Sequence, residues 1–173
     1  MEAEEISPEL TRFHTLVAEL EKRVKLVDAP PSADLAQECL ALAASFPRNW
    51  NFGNAIHYAN LLLGSDALST NYTPLSVDYL LRAGHTHGSP QLDSFGPDFG
   101  LANALLALDQ RDGVLEYLQL VRIFWRGDFG AINTWRELIV AGEKPTLSRA
   151  DVVLHFAQRM LKDREGDHPT DPS

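Results

Sequence analysis

The stretch HYANLLLGSDALSTNYTPLSVDYLLRAGHTHGSP, residues 57–90, decides the fold. Its first half carries apolar residues at helical spacing up to Gly64. Thr73-Pro74 then offers a cap followed by a proline, which suits the first turn of a second helix. Leu75, Val77, Tyr79, Leu80 and Leu81 continue that helix, and Ala83-Gly84 ends it. The spacing predicts a helical hairpin, Phe52–Leu63 followed by Thr73–Gly84.

The same pattern extends in both directions. Ser7 caps a first helix, with Pro8 in its first turn and Glu9 at the positive end of its dipole. Leu10, Phe13, Leu16, Val17, Leu20, Val24 and Val27 form its apolar stripe, and Asp28–Pro31 stops it. Ser32 and Asp34 cap a second helix that Pro47 ends. Beyond the hairpin, residues 85–97 hold two prolines and two glycines, which predicts a long irregular loop. Helices follow at Asp98–Leu108, Gly113–Trp125 and Ala131–Ala141. Ser148 caps the last, whose stripe is Val152, Val153, Phe156, Met160 and Leu161. A charged, proline-bearing tail is expected over Asp163–Ser173, leaving residues 1–162 as one domain.

Runs of alternating β-branched residues do not stand out. The expectation is an all-α domain of antiparallel helical hairpins, a tetratricopeptide-like or irregular bundle of about seven to eight helices. Within His57–Pro90, Gly64, Ser76 and Ala83 supply small contact residues and Pro90 closes the unit. This resembles one tetratricopeptide-type hairpin. The next pair, Asp98–Trp125, does not repeat the pattern, whereas a solenoid normally stacks about three units. The segments Asn54–Gly64, Leu80–Gly84, Gly88–Pro97, Val114–Leu118 and Ile123–Trp125, taken together, are similar to a family of small, uncharacterised bacterial helical proteins described as tetratricopeptide-like. That resemblance covers Trp50 to Pro145 and implies a fold without an activity.

Composition narrows the partners. The 173 residues carry a formal net charge of −9. Nucleic acid and anionic membranes are poor partners for such a surface, because phosphate binding needs Lys and Arg. Basic protein surfaces remain open. One cysteine, Cys39, excludes an internal disulfide and a cysteine-rich zinc site. It reads as a buried small hydrophobe. The acidic start and the short apolar runs give neither a secretory signal nor a membrane span, so a cytoplasmic location is expected.

Candidate chemistry gathers around residues 85–97. Asn54, His57 and Asn60 lie at i, i+3 and i+6, a polar strip on an apolar helix. They are either a binding or catalytic strip, with His57 as base or donor, or the partners of the loop's own polar groups. Ser89, Gln91 and Ser94 of the loop complete the tentative binding set. His85 and His87 with His57 offer three imidazoles, but H-x-H alone is a weak zinc signal, and solvated loop histidines are the better reading. Neither Ser89 nor Ser94 lies in a nucleophile motif, and glycine patterns for nucleotides are missing. His14, His155 and His168 show no pattern of partners. Trp125, Arg126, Phe129, Trp135 and Arg136 group aromatic and cationic side chains, either as a cation–π pocket or as a pinned helix corner.

The expected function is therefore non-catalytic: a helical interaction or scaffold protein that binds a peptide or protein, without metal or cofactor. The alternative is a small enzyme or small-molecule-binding protein with its site between His57 and residues 85–97.

Overall fold

The structure, a computed structural model, describes residues 7–26, 32–46 and 50–165. Among them are nine α-helices and no strand: α1 (Pro8–Val24), α2 (Ala33–Ser45), α3 (Trp50–Ser69), α4 (Thr73–Gly84), α5 (Pro90–Phe95), α6 (Gly100–Ala107), α7 (Arg111–Phe124), α8 (Ala131–Val140) and α9 (Arg149–Glu165). The all-α expectation holds. The stops assigned to Asp28–Pro31 and Pro47 lie outside the described residues. The helical backbone continues to Glu165, so α9 runs three residues past the expected end at Lys162. The rest of the expected tail lies outside the described residues.

Helix α3 is the hub. It packs against α1 and α2 on one side and against α4, α5 and α6 on the other. The bundle then grows through α4 onto α7, with α6 and α8 against α7. Phe13, Leu16 and Leu20 of α1, Leu61 of α3, Leu80 of α4 and Leu118 of α7 are fully buried in one continuous core. Arg12 closes the α1–α2 hairpin with a two-pronged bond to Glu38, at 2.8 and 2.7 Å.

Three boundaries differ from expectation for physical reasons. Gly64 lies inside α3, which continues to Ser69. A Cβ there would fall 2.5 Å from Leu101 Cδ2 and 3.3 Å from Ser76 O, so the glycine is a contact between α3, α4 and α6 and does not break the helix. The turn comes at Asn71 instead, which adopts the left-handed conformation at φ 60°. Helix α5 lies inside the expected loop, because Pro90 occupies its first turn and the Ser89 hydroxyl accepts from the Leu92 N–H at 3.0 Å. Thr73 starts α4 as a helical residue, with Tyr72 in the cap position. Ser32 holds the cap position of α2, but its hydroxyl accepts from Arg23 and makes no capping bond.

The last helix departs most. Of its apolar stripe, only Val152 is buried; Val153, Phe156, Met160 and Leu161 are 59%, 42%, 50% and 60% exposed. Helix α9 docks on α8 through the side bearing Val152 and His155, whose imidazole bonds Thr134 Oγ1 at 3.1 Å. At 100° per residue, Val153, Ala157, Met160 and Leu161 lie on a different side from that contact.

Candidate functional site

The polar strip of α3 and the chain from Ser89 to Asp98 meet. The Asn54 amide donates to Gln91 Oε1 at 2.9 Å and accepts from the Ser89 hydroxyl at 2.6 Å. His57 is fully buried. Its Nδ1–H donates to the Ala83 carbonyl at 3.2 Å, and its Nε2 accepts the Asp98 backbone N–H at 3.2 Å. That pair of bonds requires the neutral Nδ1–H tautomer. Burial, opposed by the bond to Ala83, pushes the imidazole down to about 4. Tyr58 and Phe124 pack their rings edge-on to it. Asn60 turns back on its own helix and donates to Ile56 O at 2.7 Å.

Of the tentative binding residues, Asn54, Ser89 and Gln91 are thus brought together. His57 is one turn away, tying α4 to the start of α6, and Asn60 does not join them. Ser94 is exposed and borders a small cavity of about 120 Å³ with Phe95, Trp125 and Phe156. Thr86 and Gly53 complete the junction, although the sequence did not flag them. The Thr86 hydroxyl donates to Gly53 O at 2.7 Å, and a Cβ on Gly53 would lie 1.8 Å from Gly88 O. Only a glycine lets α3 pass this close to the following segment.

The other histidines are dispersed. His85 and His87 are exposed, and His87 stacks on Phe52 with ring centroids 6.0 Å apart. His14 hydrogen-bonds Asn51, and His155 donates to the Asp151 carbonyl at 2.8 Å. His168 lies outside the described residues. Among the described residues, no three His, Cys, Asp or Glu side chains gather as metal ligands. Trp125 and Trp135 are buried around Phe99, at centroid distances of 5.8 and 5.2 Å, while Arg126 is exposed. Burial, with a smaller push from Glu38, raises the Cys39 thiol to about 12.

A larger concavity lies elsewhere, between the C-terminal end of α1, the second half of α3 and α6. It encloses about 850 Å³, and its floor includes Leu61, Leu62, Leu68, Leu101 and Ala104. Leu26, 58% exposed, stands at its edge. Four charged side chains reach it: Arg23, Lys25, Asp66 and Asp98. The two cations are already engaged, Arg23 with Glu19 at 2.8 Å and Lys25 with Glu21 at 2.7 Å. Among the described residues, neither carboxylate has an ion pair. Asp66 accepts the Ser32 N–H at 3.1 Å, and Asp98 accepts the Gly100 N–H at 2.8 Å. Burial raises the Asp98 carboxyl, against the lowering effects of Gly100 and Lys25. The four lining charges, two acids and two bases, sum to zero.

Asp98 joins the two regions. Its backbone N–H is held by His57 and its carbonyl by the Tyr117 hydroxyl at 3.1 Å, while its side chain borders the groove. This groove is not legible in the sequence, because its leucines follow the same period as core leucines. Among the described residues, no helix is long and apolar enough to cross a membrane. No family model matches the chain, and no curated protein or solved structure matches it.

Proposed function

We propose that this chain is a non-catalytic interaction protein of the cytoplasm, and that the groove between α1, α3 and α6 receives an amphipathic helix of a protein partner. The observation that carries this reading is the groove's chemistry. An apolar floor that includes Leu61, Leu62, Leu68 and Leu101 is bordered by two carboxylates that have no ion pair among the described residues, while its two cations are bound to other acids. Burying apolar side chains supplies the affinity, at roughly 25 cal/mol per Å². The carboxylates select for Lys or Arg on the partner's flank. This is also how tetratricopeptide-like hairpins, which residues 57–90 resemble, would present a surface. A lone buried thiol fits a reducing compartment.

The polar residues around His57 serve the fold in this reading. Both ring nitrogens and both ends of the Asn54 amide are engaged by the chain itself, which is how buried polar groups are normally satisfied. The test uses two synthetic helices of equal hydrophobicity, one of leucine and lysine and one of leucine and glutamate. The lysine helix should bind saturably, the glutamate helix at least about tenfold more weakly, equivalent to one well-placed charge contact. Leu26→Glu should reduce binding of the lysine helix. Equal binding of both helices, or no effect of Leu26→Glu, would refute the assignment.

A further inference from the structure

The small cavity beside Ser94 is built with hydrogen-bond donors that have no acceptor. It lies between α5, the turn that joins α7 to α8 and the first half of α9, and holds about 120 Å³. Its walls are aromatic, from Phe95, Trp125, Phe129 and Phe156. Trp125 is 3% exposed, and its indole N–H makes no hydrogen bond among the described residues. Among those residues, the Ser76 hydroxyl is the polar side-chain atom sealed away without a partner, so the indole N–H reaches open space. Gly127 keeps it open, because a Cβ there would lie 3.3 Å from Nε1. Arg149 is the charged residue that lines the cavity, and it has no ion pair among the described residues. Its guanidinium stands over the Phe95 ring, with Cζ 5.0 Å from the centroid. Stacking occupies the face of that group and leaves its in-plane N–H donors free. The exposed Ser94 hydroxyl adds a third donor. Phe129 holds its place in the wall at φ 49°, a conformation that bulky residues rarely adopt, with its ring 4.6 Å from that of Phe156. Backbone outliers of this kind gather at ligand sites.

We propose that this cavity binds a carboxylate carried on an apolar group about the size of benzene. Size sets the apolar part: 120 Å³ is close to the roughly 150 Å³ of an apolar protein cavity that takes benzene. The donors set the polar part. A neutral hydrocarbon would strip water from the indole N–H and the guanidinium and return no acceptor, and a cation would meet Arg149. A carboxylate matches the single charge of Arg149 and the planar fork of its N–H groups. A phosphate monoester would bring a charge of about −2 against that one cation. The neighbouring acids Asp93, Asp128 and Asp151 do not line the cavity, and Asp128 accepts the Ile132 N–H at 3.3 Å at the start of α8. The ligand can come as a free acid or as the last residue of a protein chain, whose terminal carboxylate and side chain offer the same chemistry. The cavity shares no residue with the groove between α1, α3 and α6, so the two assignments stand or fall separately.

The indole N–H resonance of Trp125 reads the site directly, and Trp125→Phe identifies it in the spectrum. Titration of the full chain with phenylacetate at constant ionic strength should move that resonance saturably. Phenylacetamide, of the same shape without the charge, should bind at least about tenfold more weakly, the loss of one charge-assisted contact. Acetate keeps the charge without the ring and should also bind more weakly. Arg149→Gln, at an exposed position, should weaken phenylacetate at least about tenfold and leave phenylacetamide unchanged, a split that a merely structural role would not produce. A peptide that ends in Phe with a free carboxylate separates the two sources. Binding tighter than phenylacetate and lost on amidation assigns the site to a chain terminus, and binding no tighter assigns it to a free acid. An indole resonance that does not move saturably overturns the proposal. So does equal binding of phenylacetate and phenylacetamide, or undiminished binding of phenylacetate by Arg149→Gln.

Discussion

The backbone N–H of Asp98 donates to Nε2 of His57 across 3.2 Å of space and 41 residues of sequence. The imidazole returns its own proton to the carbonyl of Ala83. One ring therefore fixes the end of α4, the middle of α3 and the start of α6, and places the Asp98 carboxylate beside the groove.

Replacing His57 with Ala leaves a buried N–H and a buried carbonyl unpaired. Unfolding by urea should show a loss of about 2–4 kcal/mol. His57→Gln, which retains a donor and an acceptor, should cost less.

The same residue makes stability depend on pH. The imidazole titrates at about 4 in the fold against an ordinary 6.5, so the unfolded chain binds the proton more readily between those values. The contribution is complete above about pH 6.5 and is lost as the pH falls towards 4. It amounts to about 3 kcal/mol over the whole window. Denaturation midpoints of the wild type should therefore fall more steeply from pH 7 to pH 5 than those of His57→Gln. Parallel curves would contradict the buried neutral ring.

Gly53→Ala should be among the costlier small substitutions. Helix propensity alone favours Ala by about 1 kcal/mol. The new Cβ, however, meets the carbonyl of Gly88 at 1.8 Å, and backbone cannot rotate away as a side chain can. The outcome should be a net loss of about 1–3 kcal/mol with altered amide shifts in residues 85–97. Gly113→Ala, which meets only the Val77 side chain, should cost less.

Ser76 offers the opposite sign. Its hydroxyl is buried on α4 without a hydrogen-bond partner among the described residues. Ser76→Ala removes that desolvated group and improves helix propensity. Thermal unfolding should show a gain of up to about 1 kcal/mol.

Cys39 should resist a thiol reagent in the folded protein. It is fully buried, and burial holds its thiol near 12, so the reactive thiolate is scarce. Labelling should follow global unfolding; rapid labelling under native conditions would show that α2 opens locally.

The helices were legible in the sequence because their stripes and caps are local. Ser7 and Ser148 each accept a backbone N–H at a helix start. Gly64 serves as the small contact residue that the hairpin pattern implies, against Ser76, but it does not end α3, and its approach to Leu101 of α6 is a tertiary contact that spacing along one helix cannot reveal. Helix α5 was hidden because prolines and glycines signal a loop, while a single capped turn needs only Ser89 and Pro90. The strip of Asn54, His57 and Asn60 was visible as an oddity, and Asn54 and His57 do reach the segment that follows α4. The role of Asp98 was not visible, since its link to His57 runs through backbone. The exposure of the α9 stripe is not legible, because periodicity reports that a face is apolar and does not report what covers it.

The central claim is that the groove between α1, α3 and α6 binds an amphipathic helix with a basic flank. Amide chemical-shift mapping with the leucine–lysine helix tests it most directly. Shifts confined to Leu26, Leu61, Leu62, Asp98 and Leu101 and their neighbours are the predicted result. Saturable shifts centred on His85, His87 and Ser94 instead, or no saturable shift at all, would contradict it.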